Sequence, residues 1–119
     1  MTAIECTPAG DNEVFLRGRL AAAPVIRKLP SGDEFCAFRI TVPRLPSESR
    51  ESRVRVDSID CAAVAARVRR SVERAAPGDQ LEVTGSLHRR FWRSASGLGS
   101  RYEVLARSAR VIKRPRIGA

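Results

Sequence analysis

The chain has 119 residues, 43% of them hydrophobic, with 22 Lys and Arg against 13 Asp and Glu, a formal net charge of +9. That length supports one hydrophobic core rather than two, and no run approaches the roughly 18 apolar residues a membrane helix needs. Three scattered cysteines, Cys6, Cys36 and Cys61, without a CxxC and with a single histidine, argue against a zinc site or a disulfide framework.

The first residues, "MTAIECTPAGDNEV", carry no basic segment followed by an apolar block, so a cytoplasmic protein with reduced thiols is expected, Cys36 and Cys61 lying in the core. Residues 1–60 hold 9 basic against 9 acidic side chains and residues 61–119 hold 13 against 4, so the whole excess sits in the second half. All but Lys28 and Lys113 of these cations are arginine, which both forks onto phosphates and stacks on planar rings. A polyanion is the expected partner.

Residues 1–11 read as a flexible leader. "EVFLRGRLA", 13–21, sets Val14, Leu16, Gly18 and Leu20 against Phe15, Arg17 and Arg19, and period two means strand. Gly18 in its middle marks a bulge or bend. After the turn "LPSGDE", 29–34, a second strand places Cys36, Phe38, Ile40 and Val42 opposite Ala37, Arg39 and Thr41. Pro43, Pro46 and "SESRESR" make a loop with Arg44, Arg50 and Arg53. A third strand begins near Val54, and a slip of parity between Val56 and Ile59 suggests a bulge.

From Cys61 the period becomes helical, with Val64, Val68, Val72 and Ala75 along one stripe, until "APGD", 76–79, stops it. A long strand, "QLEVTGSLHRRFWR", has Leu81, Val83, Leu87 and Phe91 in one phase and Ser86, His88, Arg90 and Trp92 in the other. On that parity Phe91 anchors the core and Trp92 faces outward. "SASGLGS", 94–100, reads as a hairpin tip, "RYEVLARSARVI", 101–112, as the fifth strand, and 113–119 as a short basic tail. An all-β chain with one helix, ordered β-β-β-α-β-β, is the topology of the OB fold, a five-stranded, partly open antiparallel barrel that binds oligonucleotides and oligosaccharides.

Two segments carry a more specific resemblance. "NEVFLRGRLAAAPVIRKLPSG" and "PGDQLEVTGSLHRRFWRSASGLGSRYEV" resemble the bacterial single-stranded DNA-binding proteins of the SSB type, through Asn12, Val14, Leu16, Gly18, Leu20, Pro24, Arg27 and Gly32 and then through Gly85, Leu87, Trp92 and the Arg101-Tyr102 pair. The similarity spans residues 12–112. It implies sequence-independent binding and protection of single-stranded DNA in replication, recombination or repair, without a cofactor, by a homo-oligomer that is a tetramer or a dimer. It also implies several base-stacking aromatics, where this chain offers Leu45, Ser58 and Val64 and keeps only Trp92, and an acidic-tipped tail that recruits partners, where this chain ends in a basic segment. Ala23 replaces the usual aspartate before Pro24.

Trp92 is therefore expected to stack bases, with Arg90 and His88 beside it. Arg89 and Arg93 share Phe91's phase and join the groove only if the strand twists clear of the core. Arg17, Arg19 and Arg39 on the polar phases, and Arg44 and Arg55 flanking the loop, are candidate phosphate contacts, against a plain reading as solvated ion pairs with Glu48, Glu51 and Asp57. With one stacking ring, binding should lean on charge and be salt-sensitive. A dimer resembling primosomal replication protein N that bridges replication-restart partners, and an RNA-binding OB module, remain alternatives. One histidine and no paired carboxylates leave an enzyme without its machinery.

Overall fold

The computed structural model describes residues 10–48 and 53–113. Most of the leader, Cys6, Arg50, Glu51 and residues 114–119 of the tail lie outside them. The chain runs β1 (Val14–Leu20), β2 (Val25–Lys28), β3 (Glu34–Pro43), β4 (Val56–Ala63), α1 (Ala66–Glu73), β5 (Gln80–Ser94) and β6 (Gly97–Lys113). The strands form one sheet in the order β1-β5-β6-β4-β3-β2, and β1 returns to pair with β3, so five long strands close as an OB barrel.

Closure depends on β1 serving both halves. Its residues Val14–Arg19 pair with β5, while Arg19 and Leu20 pair with Thr41 and Ile40 of β3. At the changeover the backbones approach so closely that a Cβ on Gly18 would lie 2.4 Å from the Thr41 carbonyl oxygen and 2.5 Å from Ile40 Cγ2. The mid-strand glycine is a steric requirement of the corner. β4 and β6 make the other junction, a short parallel pairing of Cys61 with Val104 and Ala62 with Leu105.

Alternation in β1, β3 and the first half of β5 fills the barrel as the sequence predicts. Leu20, Cys36, Phe38, Ile40, Leu81, Val83 and Val104 are buried, α1, packed against β3, β4 and β6, adds Val68 and Val72, and Ala75 follows just past its end. Burial pushes the Cys36 thiol up to about 11 and the Cys61 thiol up to about 12, so both are neutral at physiological pH. Because the protonated form is the one the fold prefers, this contribution is complete below the ordinary thiol range and is lost as pH rises through those values. Asp79 closes the turn after the helix. Its Oδ2 accepts from the Ala76 N–H at 2.9 Å, and its carbonyl accepts from the Leu20 N–H at 2.9 Å.

Several expectations need correction. The short β2 is a sixth strand without alternation, exposed at all four positions, and β4 and β6 run parallel. The third long strand starts at Val56, and its register with β3 is unbroken through Ala63, so no bulge is present there; Val56 simply points outward. Cys61 belongs to this strand, and the helix starts at Ala66, leaving Val64 exposed. Bulges occur instead between β5 and β6, at Gln80/Leu81 and Thr84/Gly85. The hairpin tip shrinks to Ala95 and Ser96, because β6 already begins at Gly97.

Phe91 is the largest correction. It is 65% exposed, not core. Parity does place it on the side of β5 that carries Leu81 and Val83, but β1 accompanies β5 only as far as Gly85. β4 leaves β6 soon after, at the Leu87–Val104 pair, and from there β5 and β6 continue as a two-stranded ribbon with nothing packed over the Phe91 side. Asn12 finishes the edge there: its Nδ2 donates to the Leu87 carbonyl and its Oδ1 accepts from the Leu87 N–H, both at 2.8 Å, standing in for one more strand residue.

Gly18→Ala should therefore destabilise the fold by about 1–3 kcal/mol or more, since the contact is with backbone that cannot turn aside. Urea unfolding followed by circular dichroism measures this, and an unchanged midpoint would show that the barrel corner has slack.

Candidate nucleic-acid interface

A groove of about 770 Å³ runs over the outside of the barrel, between the β1–β2 segment, the β3–β4 pair and the root of the β5–β6 ribbon. Its walls include Ala21, Ala22, Val25 and Ile26 on one side and Trp92 on the other. Arg27, Lys28, Arg39, Arg90 and Arg101 line it against only two carboxylates, Asp60 and Glu103. The arginines are held rather than loose. Arg39 Nε lies 2.9 Å from Asp60 Oδ1, Arg101 Nη1 lies 3.4 Å from Asp60 Oδ2, and Arg90 Nη1 lies 3.4 Å from Glu103 Oε1. Arg90 also stacks on the buried Phe35 ring, 5.0 Å from its centroid. Each guanidinium has five N–H donors, so an ion pair that fixes its plane leaves others for a phosphate.

Trp92 owes its pose to its cross-strand neighbour. It pairs with Gly99, and a Cβ there would sit 2.5–2.6 Å from the indole atoms Cε2, Cζ2 and Nε1. The missing side chain lets the indole lie across the ribbon backbone. Arg101 approaches the same ring, its Cζ 5.6 Å from the centroid, and Trp92 remains 43% exposed. An amphipathic ring fixed on one side and open on another is suited to stacking a flat ligand.

Among the residues singled out from the sequence, the structure brings Trp92, Arg90 and Arg39 together in this groove. His88 follows the same strand phase nearer the barrel, where its Nε2 lies 2.8 Å from Ser86 Oγ. Arg89 and Arg93 point from the opposite face of the ribbon, Arg89 between the rings of Phe91 and Tyr102. Arg17 pairs with Glu82 at 2.7 Å and Arg19 donates to the Gly78 carbonyl at 2.9 Å, both beside a separate hollow of about 330 Å³. Arg17 and Arg110 together hold the Glu82 carboxyl below its usual range by hydrogen bonding. Arg44 forks onto Asp57 at 2.9 and 2.7 Å, which lowers the Asp57 carboxyl, and its N–H donates to the Arg55 carbonyl. That cluster lies at the end of the β3–β4 pair away from the groove.

Sequence reasoning missed Arg101, Arg27 and Lys28. For Arg101 a signal existed. With Ser94 facing Gly97 across the hairpin, counting back sets Gly99 opposite Trp92 and Arg101 opposite Arg90, on one face. Nothing comparable marks Arg27 and Lys28, whose place follows from the pairing of β2 with β3.

An OB barrel with a basic groove rimmed by an aromatic ring is an oligonucleotide-binding module. The chain belongs to the single-strand binding proteins: the family model described as "Single-strand binding protein family" matches residues 11–112. Among solved structures the fold resembles a Plasmodium falciparum protein described as "Plasmodium falciparum SSB complex with ssDNA", with a TM-score of 0.71 and 19% identity over 92% of this chain and 99% of that one. No curated protein matches it in sequence. Members of the family are non-enzymatic DNA-binding proteins, and among the described residues no helix is long and apolar enough to cross a membrane.

Gly99→Ala should leave the barrel folded but drive the indole off the ribbon. The expected outcome is a changed Trp92 emission spectrum in the free protein and weaker binding of oligo-dT, by up to the roughly 1–3 kcal/mol that one stacked base contributes. An unaltered spectrum with unaltered affinity would mean that Gly99 does not set the pose.

Proposed function

We propose that this single-stranded DNA-binding protein holds its ligand in the groove beneath Trp92, stacking a base on the indole while Arg39, Arg90, Arg101, Arg27 and Lys28 take phosphates, without regard to base identity. The observation that carries this reading is the convergence of the sole tryptophan with five cations and only two carboxylates in one concave surface. Every base has a π-face, so stacking is indifferent to sequence, and phosphate contacts carry no sequence information either. The groove contains one exposed ring against several arginines, so affinity leans on counterion release, with a log–log salt slope steepened by about 0.7 for each phosphate engaged on a single strand.

The binding protects single strands during replication, recombination or repair, in the cytoplasm where chromosomal DNA lies. The protein acts as a homo-oligomer, a tetramer or a dimer. β1 is the joining edge: on its β3 side only Arg19 and Leu20 are paired, which leaves the backbone from Val14 to Arg17 for a second copy. Phe15, 58% exposed on the same strand, is consistent with an interface there.

Titrating oligo-dT while following the single tryptophan's fluorescence, at low and high salt, tests the groove. Strong quenching and a steep loss of affinity with salt are expected; binding that leaves the emission unchanged would remove Trp92 from the site. Trp92→Ala should weaken all homopolymers by a similar factor, roughly tenfold or more, with its melting curve preserved. For assembly, Leu16→Pro in β1 should reduce the sedimenting species to monomer; an undiminished oligomer would place the interface elsewhere.

A further inference from the structure

The ribbon has a second face, turned away from the groove. It is the continuation of the barrel's interior side of β5 and β6 past the point where the barrel ends, and it carries Phe91, Tyr102 and Leu98 at 65%, 58% and 73% exposure. Exposed rings on a charged protein call for a partner. Arg89 stands opposite Tyr102 in the register and two pairs away from Phe91, on the same face. Its Cζ is 5.1 Å from the Phe91 centroid and 5.4 Å from that of Tyr102, while its Nη2 donates to Ser100 Oγ at 3.1 Å.

Resting on the reading of the groove, we propose that this face is a second stacking surface for the same DNA strand, so that one single strand engages both sides of the β5–β6 ribbon. Three observations support it. The Phe91 and Tyr102 rings already take one planar group, the Arg89 guanidinium, and a base is another that an arginine can share a ring with. Every charged side chain projecting from this face of the ribbon among the described residues is positive, Arg89 and Arg93, so it complements a phosphate backbone. Finally, the two faces are back to back on a single sheet layer that ends in the two-residue turn Ala95–Ser96, so a strand leaving Trp92 has a short path round the tip.

A second protein copy fits less well. Two-fold pairing would lay this patch on itself, setting Arg89 and Arg93 against the same arginines of the partner, where like charges disfavour association.

The double variant Phe91→Ala/Tyr102→Ala tests the proposal, with Trp92 fluorescence reading the groove. Both side chains are exposed and outside the groove, so an oligo-dT of about 6 nucleotides, within the span of a single OB face, should quench the variant and the wild type with equal affinity. An oligo-dT of about 30 nucleotides should bind the variant on the order of tenfold more weakly, as expected from losing two stacked bases. If the wild type binds both oligomers and the variant matches it on both, the second face is overturned while the groove stands. If the variant instead sediments as a smaller species with its affinity for the long oligomer unchanged, the face is a protein interface and the proposal is overturned. If the wild type binds neither oligomer, the reading of the groove fails and this inference fails with it.

Discussion

The organisation of the molecule depends on a mismatch of strand lengths. β5 pairs with β6 from Gln80 to Ser94, while β1 covers β5 only to Gly85. The first part of the hairpin is barrel wall, with one dry face and one wet face. The remainder is a ribbon that extends past the barrel, where residues of either phase are released from the core. Trp92 belongs to this second regime, and so does Phe91.

Electrostatics then refine what the backbone sets out. The groove's cations would repel one another if crowded without counter-charges, and Asp60 and Glu103 supply these, Asp60 touching the half-exposed Arg39 and Arg101 and Glu103 the more buried Arg90. Such exposed pairs contribute little to stability. On the proposed reading their value lies in direction, because an arginine already restrained would lose less freedom when a phosphate arrives. The Arg44–Asp57 fork and the Arg17–Glu82–Arg110 cluster are of another kind, in which the carboxylate absorbs the guanidinium and ties neighbouring strands. Net charge alone does not distinguish the two uses of arginine.

Much of this was legible in the sequence. Period two in residues 14–20 and 36–42, the stripe Val68, Val72, Ala75 and the stop at Pro77 and Gly78 give the strands, the helix and the order that makes an OB barrel. The phase of Trp92 relative to Leu81 and Val83 assigns it to the outer surface, where it is found. What was not legible has physical reasons. Parity states which side of a strand a residue takes, but not whether anything covers that side, and Phe91 fails on this point. Alanine-rich "DCAAVAARV" satisfies strand and helix patterns equally, so the sequence does not separate the end of β4 from the start of the helix. β2 is exposed throughout and bears no alternation, hence no signal. The parallel contact of β4 with β6 is a product of barrel closure and leaves no local mark.

That last contact has a bearing on binding. The barrel is sealed by two brief junctions, β1 with β3 and β4 with β6, each only two register pairs long. The groove lies directly across the second, with Asp60 and Cys61 on one bank and Arg101 and Glu103 on the other, and the Arg101–Asp60 pair is already a bridge over it. On the proposed reading, a strand of DNA laid in the groove would clasp the barrel's thinnest seam from outside. On that reading, ligand occupancy and barrel closure are one linked equilibrium, and a groove that opens along the seam would release its DNA at the same moment.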